Sequence, residues 1–365
     1  MDSMRAVLMM LGVVLHAAYI FSPDTEWVVT DPQSSEFLNV FSHYMRMFRM
    51  PAFFVISGFF SIMSLKRYDA GTFLRVRLQR IVIPLISAGL TLNVAQLFYQ
   101  ERVMEGRPTP FLDFLLHVFP QRVLDGGWVQ HLWFLNTLVF YFIAAVFIYQ
   151  LAPPFVEKWK DSRVLDLLRR RCRFMLVLPL LLMGWNVVEH YGHGWADTTL
   201  LCGILNLDEL AIYFPYFVLG LWLYVDPKLQ EEFHHLAPWE AVAAVLSVIV
   251  YSRFRGAHGF HAASLLQHYC ETLFTLISTQ ICFIGFRKYA DRDSKLFRYL
   301  ADASYTVYLF HHVCVVILSS LMLQVTMMPE LKFLIILSSS LLITLTIHHF
   351  LILRIPLLRF MYNGK

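Results

Sequence analysis

The sequence predicts an all-α fold, a polytopic membrane bundle of about ten transmembrane helices with both termini cytoplasmic. Composition is the first reason: 58% of the residues are apolar, 15% are charged and the mean hydropathy is +0.56, far from the balance of soluble chains. Periodic recurrence is the second, since apolar runs of near-spanning length follow one another along the whole chain, and about 20 apolar residues cross a hydrocarbon core. Charge placement is the third. With the N-terminus inside, the inner segments and Arg5 hold 22 of the 30 Lys and Arg residues, as the positive-inside rule requires.

The expected spans, in order, are about 4–22, 47–64, 81–99, 131–151, 174–188, 210–225, 238–252, 264–286, 301–323 and 333–352. The first opens directly after Met1 and lacks a small-residue cleavage site, so it reads as a retained helix and not as a signal peptide. The fifth and seventh runs are the shortest. Connecting segments such as SPDTEWVVTDPQSS, ERVMEGRPTP and YADRDSK carry the charge, Gly and Pro that stop helices. With no soluble domain, linker or internal repeat, residues 1–365 read as one transmembrane unit. Nothing in the pattern calls for a nucleic-acid partner. Five dispersed cysteines without a CxxC pair read as buried thiols, not as a disulfide framework or a zinc site.

Ionisable groups inside spans are costly and usually face the bundle interior or a watery cavity. Arg5 and His16 lie eleven residues apart in the first span, within about 20° of one helix face and roughly 16 Å apart along the axis. The ninth span carries Ser304, Tyr308, His311 and His312, with Ser304 and His311 on one face. Two spans thus deliver imidazoles to a similar depth, although a snorkelling Arg and a histidine bonded to a neighbouring helix would leave the same pattern. Between spans two and three, Lys66, Arg67, Arg75, Arg77 and Arg80 face the inner side. Arg77 and Arg80, spaced i and i+3, share a helical face that can hold phosphates, while ordinary topology charge is the plainer reading. His131 and Trp133 open span four at the outer surface, where they line a cavity mouth or anchor the interface. A basic stretch at 156–173 reads as a topological anchor or a lipid-binding surface helix. The outer pairs His190/His193 and His258/His261 have metal-like spacing without a convincing third ligand, so no metal is expected.

These pieces, in this order, resemble the membrane-bound acyltransferase family 3. Its members share an Arg, ten residues and a His in the first span, here Arg5 to His16; an MPxFFxxSG segment, here within FRMPAFFVISGFF; and an inner RxxR, here Arg77 to Arg80 followed by IVIP. HLWFL at 131–135, PYFVLG at 215–220 and SYTVYLFHH at 304–312 complete the series. Members usually carry a short extension before the position of Asp2. DSMRAVLMMLG, FRMPAFFVISGFFS and LRIPLLRFMYNGK are most similar to a succinyltransferase subgroup. The resemblance implies succinyl transfer from cytoplasmic succinyl-CoA across the bacterial inner membrane to hydroxyls of osmoregulated periplasmic glucans. It points to glucan-synthesis proteins as partners.

On that footing Arg77, Arg80 and Arg5 are expected to bind coenzyme A. His16 is expected to take the hydroxyl proton, or to carry the acyl group, with His311 and Tyr308 orienting it or holding the oxyanion. Arg49, with Arg46, is the candidate partner for a succinyl carboxylate at the outer end of span two. His131 and Trp133 are candidates for the acceptor side. An O-acetyltransferase acting on another envelope carbohydrate remains open. So does a transporter or flippase using the same histidines as a proton relay, although no inverted repeat is visible.

Overall fold

The computed structural model describes residues 2–151, 171–192, 199–254, 262–289 and 294–365. The basic segment up to residue 170 and His193, His258 and His261 lie outside the described residues, as do the side chains of Cys172 and His190.

Among the described residues, ten apolar helices come in order: α1 Asp2–Tyr19, α2 Glu36–Leu65, α3 Ala70–Met104, α4 Trp133–Leu151, α5 Arg171–Gly192, α6 Leu207–Val225, α7 Pro238–Phe254, α8 Ala262–Tyr289, α9 Lys295–Met322 and α10 Pro329–Ile352. An amphipathic tail helix, α11 Pro356–Asn363, comes last. Each predicted span falls on one of the ten. Among the described residues, seven helices are long and apolar enough to cross a membrane, or eight when Pro227–Phe233 and α7 are taken as one bent span; apolar stretches Met4–Tyr19 and Phe174–Trp185 are shorter. Their outward faces are aliphatic, as with Val242, Val245, Leu246 and Ile249 of α7. Such a contiguous apolar surface suits lipid and not water. The chain is a multi-pass membrane protein.

The helix α2 starts eleven residues before its predicted span. Ser35 caps it by accepting the Leu38 amide at 3.3 Å. The added turns, EFLNVFSHYMR, are amphipathic and escape a hydropathy reading. Two glycines then bring α2 into backbone contact with α6. A Cβ at Gly58 would lie 2.1 Å from the Phe217 carbonyl oxygen, and one at Gly220 would lie 1.9 Å from that of Val55. Small residues at helix crossings allow such approach, and dispersion between the close backbones takes the place of a hydrophobic drive that lipid cannot supply.

Prolines inside these helices free a carbonyl four residues earlier. The one freed by Pro51, at Met47, accepts from Thr275 Oγ1 of α8 at 3.2 Å. The one freed by Pro215, at Ala211, accepts from Trp185 Nε1 of α5 at 2.7 Å. At these two prolines the freed carbonyl is therefore also an interhelical tie.

The segment joining α1 to α2 is fixed against α10. Lys332 Nζ donates to Asp31 Oδ2 at 2.7 Å with both side chains fully buried, and Ser35 Oγ donates to Glu330. A two-stranded antiparallel hairpin, β1 Thr199–Leu200 and β2 Leu205–Asn206, packs its Gly203 against Gly126. Asn93, in a π-type turn within α3, donates to the carbonyls of Trp128 and Val129 at 2.8 and 3.1 Å. These contacts hold the 126–132 turn over the bundle.

Gly220→Val should lower stability by about 3 kcal/mol or more, since neither backbone at that crossing can yield; thermal unfolding in detergent measures it. Lys332→Met should cost about 3–5 kcal/mol by stranding Asp31, and the double variant with Asp31→Leu should recover most of that loss.

Candidate active site

Two cavities enter the bundle from opposite ends. The first, about 680 Å³, opens where α1, α3 and α9 begin. It is lined by Arg5, Arg77, Arg80, Arg298 and Lys365, with Asp302 the acidic residue among its lining. That excess of positive charge in a low-dielectric wall concentrates polyanions. Arg77 is held in place by donating to Ser64 Oγ at 2.9 Å, and its guanidinium carbon lies 5.7 and 5.4 Å from the ring centres of Phe73 and Phe142. Arg5 sits 5.9 Å over the Phe60 ring. The tail closes one side: Gly364, at φ +62°, lets the chain turn onto α3, where a Cβ would come within 2.6 Å of Arg80 Cα. Lys365 then pairs with Asp302.

The second cavity, about 640 Å³, holds His16, Arg49, His131, Trp133 and Tyr308. His16 and His131 line it, and His311 and His312 pack against them to make a cluster of four imidazoles. The His16 ring stacks on Trp27 with centroids 5.7 Å apart, and it lies 5.3 Å from His311 and 5.1 Å from His312. His131 stacks on His312 at 4.6 Å with planes only 8° apart. Among the described residues no cluster of His, Cys, Asp or Glu has the geometry to hold a metal ion.

Hydrogen bonds settle which ring nitrogens stay open. His311 Nδ1 donates to the Tyr308 carbonyl at 2.6 Å, and His312 Nδ1 donates to Gln96 Oε1 at 2.7 Å. In the neutral rings this network leaves both Nε2 atoms as acceptors. Gln96 Nε2 passes the chain on to Gln130 Oε1 at 3.3 Å. Gln130 has φ +49°, a left-handed backbone that costs a non-glycine residue and is often found beside functional groups. Its side chain donates to the Gly127 carbonyl at 2.6 Å, fixing the turn that delivers His131. Among the described residues, His16 Nδ1 has no hydrogen-bond partner.

Arg49 lies in the middle of α2 and is only 9% exposed, so it does not mark the membrane edge. Its place is made by Gly12 of α1, where a Cβ would stand 2.8 Å from Arg49 Nη1. Among the described residues Arg49 Nε has no partner, and its guanidinium has no carboxylate in ion-pair range. A buried cation facing a cavity in this state calls for an anion.

The sequence placed Arg5 and His16 on one helix face; here they line the two cavities in succession, Arg5 the first and His16 the second. His311 joins His16, and Arg77 and Arg80 join Arg5. His131, expected at an outer mouth, is instead buried within the imidazole cluster, because the 3-10 turn Gln130–Leu132 tucks it under Tyr308. Trp133 does face the cavity, stacked on Tyr213 at 5.7 Å. Tyr308 donates its hydroxyl to the His131 carbonyl at 2.6 Å, which commits its one proton to positioning that turn. Trp27, Gln96 and Gly12 escaped the sequence reading. Gln96, a polar residue inside an apolar span, was the one visible signal.

A family profile described as an acyltransferase domain matches residues 1–349. The chain is 28% identical to glucans biosynthesis protein C of Escherichia coli K12 over 375 aligned residues, covering all of this chain and 94% of that one. It is likewise 28% identical to the protein of the same name from Salmonella gallinarum, with the same coverage. No solved structure matches the chain significantly.

Gln96→Leu should leave the His312 Nδ1 proton unpaired and cost about 1–3 kcal/mol, read as a lowered unfolding temperature, whereas substitution of the lipid-facing Leu342 by Ile should leave that temperature unchanged.

Proposed function

The chain belongs to the membrane-bound acyltransferase family 3, and from that premise we propose that it moves a succinyl group from cytoplasmic succinyl-CoA to hydroxyls of periplasmic glucans. The observation that carries this reading is the pairing of a cation-lined cavity at one end of the bundle with an imidazole and guanidinium cavity at the other. One suits a nucleotide, the other a thioester and a sugar. The similarity to glucans biosynthesis proteins supports the acceptor class. In this proposal the protein sits in the bacterial inner membrane, serves osmoregulation and works beside the proteins that make the glucan.

The phosphates of coenzyme A bind Arg77 and Arg80 from the cytosol, with Arg5 beside the pantetheine arm. The arm reaches through the bundle and presents the thioester to His16. A glucan hydroxyl enters past Trp133. As its oxygen attacks the thioester carbonyl, His16 takes the hydroxyl proton through a neutral ring nitrogen. The new C–O bond forms, the C–S bond breaks, and the proton passes from His16 to the leaving thiolate, giving the ester and free coenzyme A. His311 and His312, each anchored through Nδ1, hold the walls against which the His16 ring is set. Arg49 takes the distal carboxylate of the succinyl group, which is why a dicarboxylic donor is favoured over acetyl.

The test supplies purified, reconstituted protein with labelled succinyl-CoA or acetyl-CoA and a β-glucan. Transfer from succinyl-CoA should fall by about 10²–10⁴-fold in His16→Ala with the fold intact. Arg49→Gln should lose the preference for succinyl over acetyl while His16 still functions. Near-normal turnover in His16→Ala removes that residue from the mechanism, and transfer from acetyl-CoA alone moves the protein to the acetyltransferases of the family.

A further inference from the structure

Among the described residues, Met9 of α1, Phe53 of α2 and Phe134 of α4 are the three side chains that border both cavities. All three are buried. Phe53 and Phe134 meet edge to face, with centroids 4.6 Å apart and planes at 89°. Phe134 also leans on Tyr308 at 5.9 Å, and the Ser304 hydroxyl approaches the Met9 sulfur at 3.9 Å. The partition between the two chambers is thus two rings braced against one another and one flexible thioether.

A thioester that binds through its phosphates at Arg77 and Arg80 and reacts beside His16 must thread this partition, acyl end first. We propose that Met9, Phe53 and Phe134 form a gauge that selects acyl donors by width, passing an unbranched chain and refusing one that is branched. The inference rests on the donor reading above and adds a second specificity element to it. Arg49 reads the charge of the acyl group after passage, whereas the gauge reads its cross-section before.

The donor's own chemistry agrees. Between the thioester and the pantoyl unit, with its hydroxylated and dimethylated carbons, the arm of coenzyme A is an unbranched run of methylenes and amides. That run is the part that lies in the partition when the thioester stands at His16, and the branched pantoyl unit stays on the cationic side. Met9 is the adjustable wall, since a methionine swings among rotamers without a branched Cβ to hold it. The rings of Phe53 and Phe134 are held by their neighbours and set the limit.

Two donors decide the matter: succinyl-CoA, and succinyl-CoA dimethylated on the carbon beside its free carboxylate. Both carry the anion for Arg49 and differ in width. Transfer to β-glucan is measured for the reconstituted full chain and for Met9→Ala, Phe53→Leu and Phe134→Ala, each checked for a monodisperse profile in detergent. The wild type should favour the unbranched donor in kcat/KM by roughly 100-fold, and each widened variant should shrink that preference by about tenfold while still transferring succinyl. Met9→Ala trims a flexible side chain and keeps the test alive where loss of a ring disturbs folding. A preference that stays within about twofold of wild type in the folded variants overturns the gauge. So does a wild type that accepts both donors equally. A wild type that transfers neither overturns the donor reading itself, and the gauge falls with it.

Discussion

Hydrocarbon offers no hydrogen bonds, so every polar side chain on a spanning helix must find its partner inside the bundle or face a cavity there. The architecture follows from that constraint. The histidines of α9 turn inward and spend their Nδ1 protons on a carbonyl and on Gln96. Carbonyls freed by Pro51 and Pro215 are met by Thr275 and Trp185 of neighbouring helices. Among the buried polar atoms left without a partner in the described residues, His16 Nδ1, both ring nitrogens of His131 and Arg49 Nε belong to side chains that line the same chamber. Unpartnered polar groups that converge on one chamber are the ones to read as chemistry.

The second organising contact is the crossing of α2 and α6. Gly58 and Gly220 press two backbones together, and this sets the height and rotation of α2 in the bundle. Three side chains on the helix depend on that setting. Arg49 reaches the space above Gly12, Pro51 presents the Met47 carbonyl to α8, and Phe53 meets Phe134. The MPxFFxxSG and PYFVLG segments are therefore two halves of one joint.

Much of this was legible in the sequence, for identifiable reasons. Apolar runs leave few alternatives to a helix, so a helix stands at each of the ten segments, seven or eight of them long and apolar enough to cross a membrane. An eleven-residue spacing on a helix fixes a common face, so the alignment of Arg5 and His16 followed from geometry alone. Hydropathy has no purchase on an amphipathic stretch, and the first eleven residues of α2 were missed for that reason; with them went the depth of Arg49. The burial of His131 was equally hidden, because it depends on a left-handed residue at Gln130 and a hydroxyl from Tyr308, which is 177 residues away. Trp27 sits in a connecting segment, where nothing local announces that its ring will stack on His16. Pairings across the chain are the information that a single sequence carries least openly.

The buried bond between Asp31 and Lys332 spans 301 residues. A chain emerging from the ribosome inserts α1 long before α10 exists, so the aspartate spends most of synthesis without its ammonium partner. The segment that bears Trp27, and with it the wall behind His16, can settle only when the last apolar helix enters the bilayer. Completion of the chamber is thereby timed to completion of the polypeptide, and a nascent or prematurely ended chain holds a cavity beside His16 that has not yet been shut.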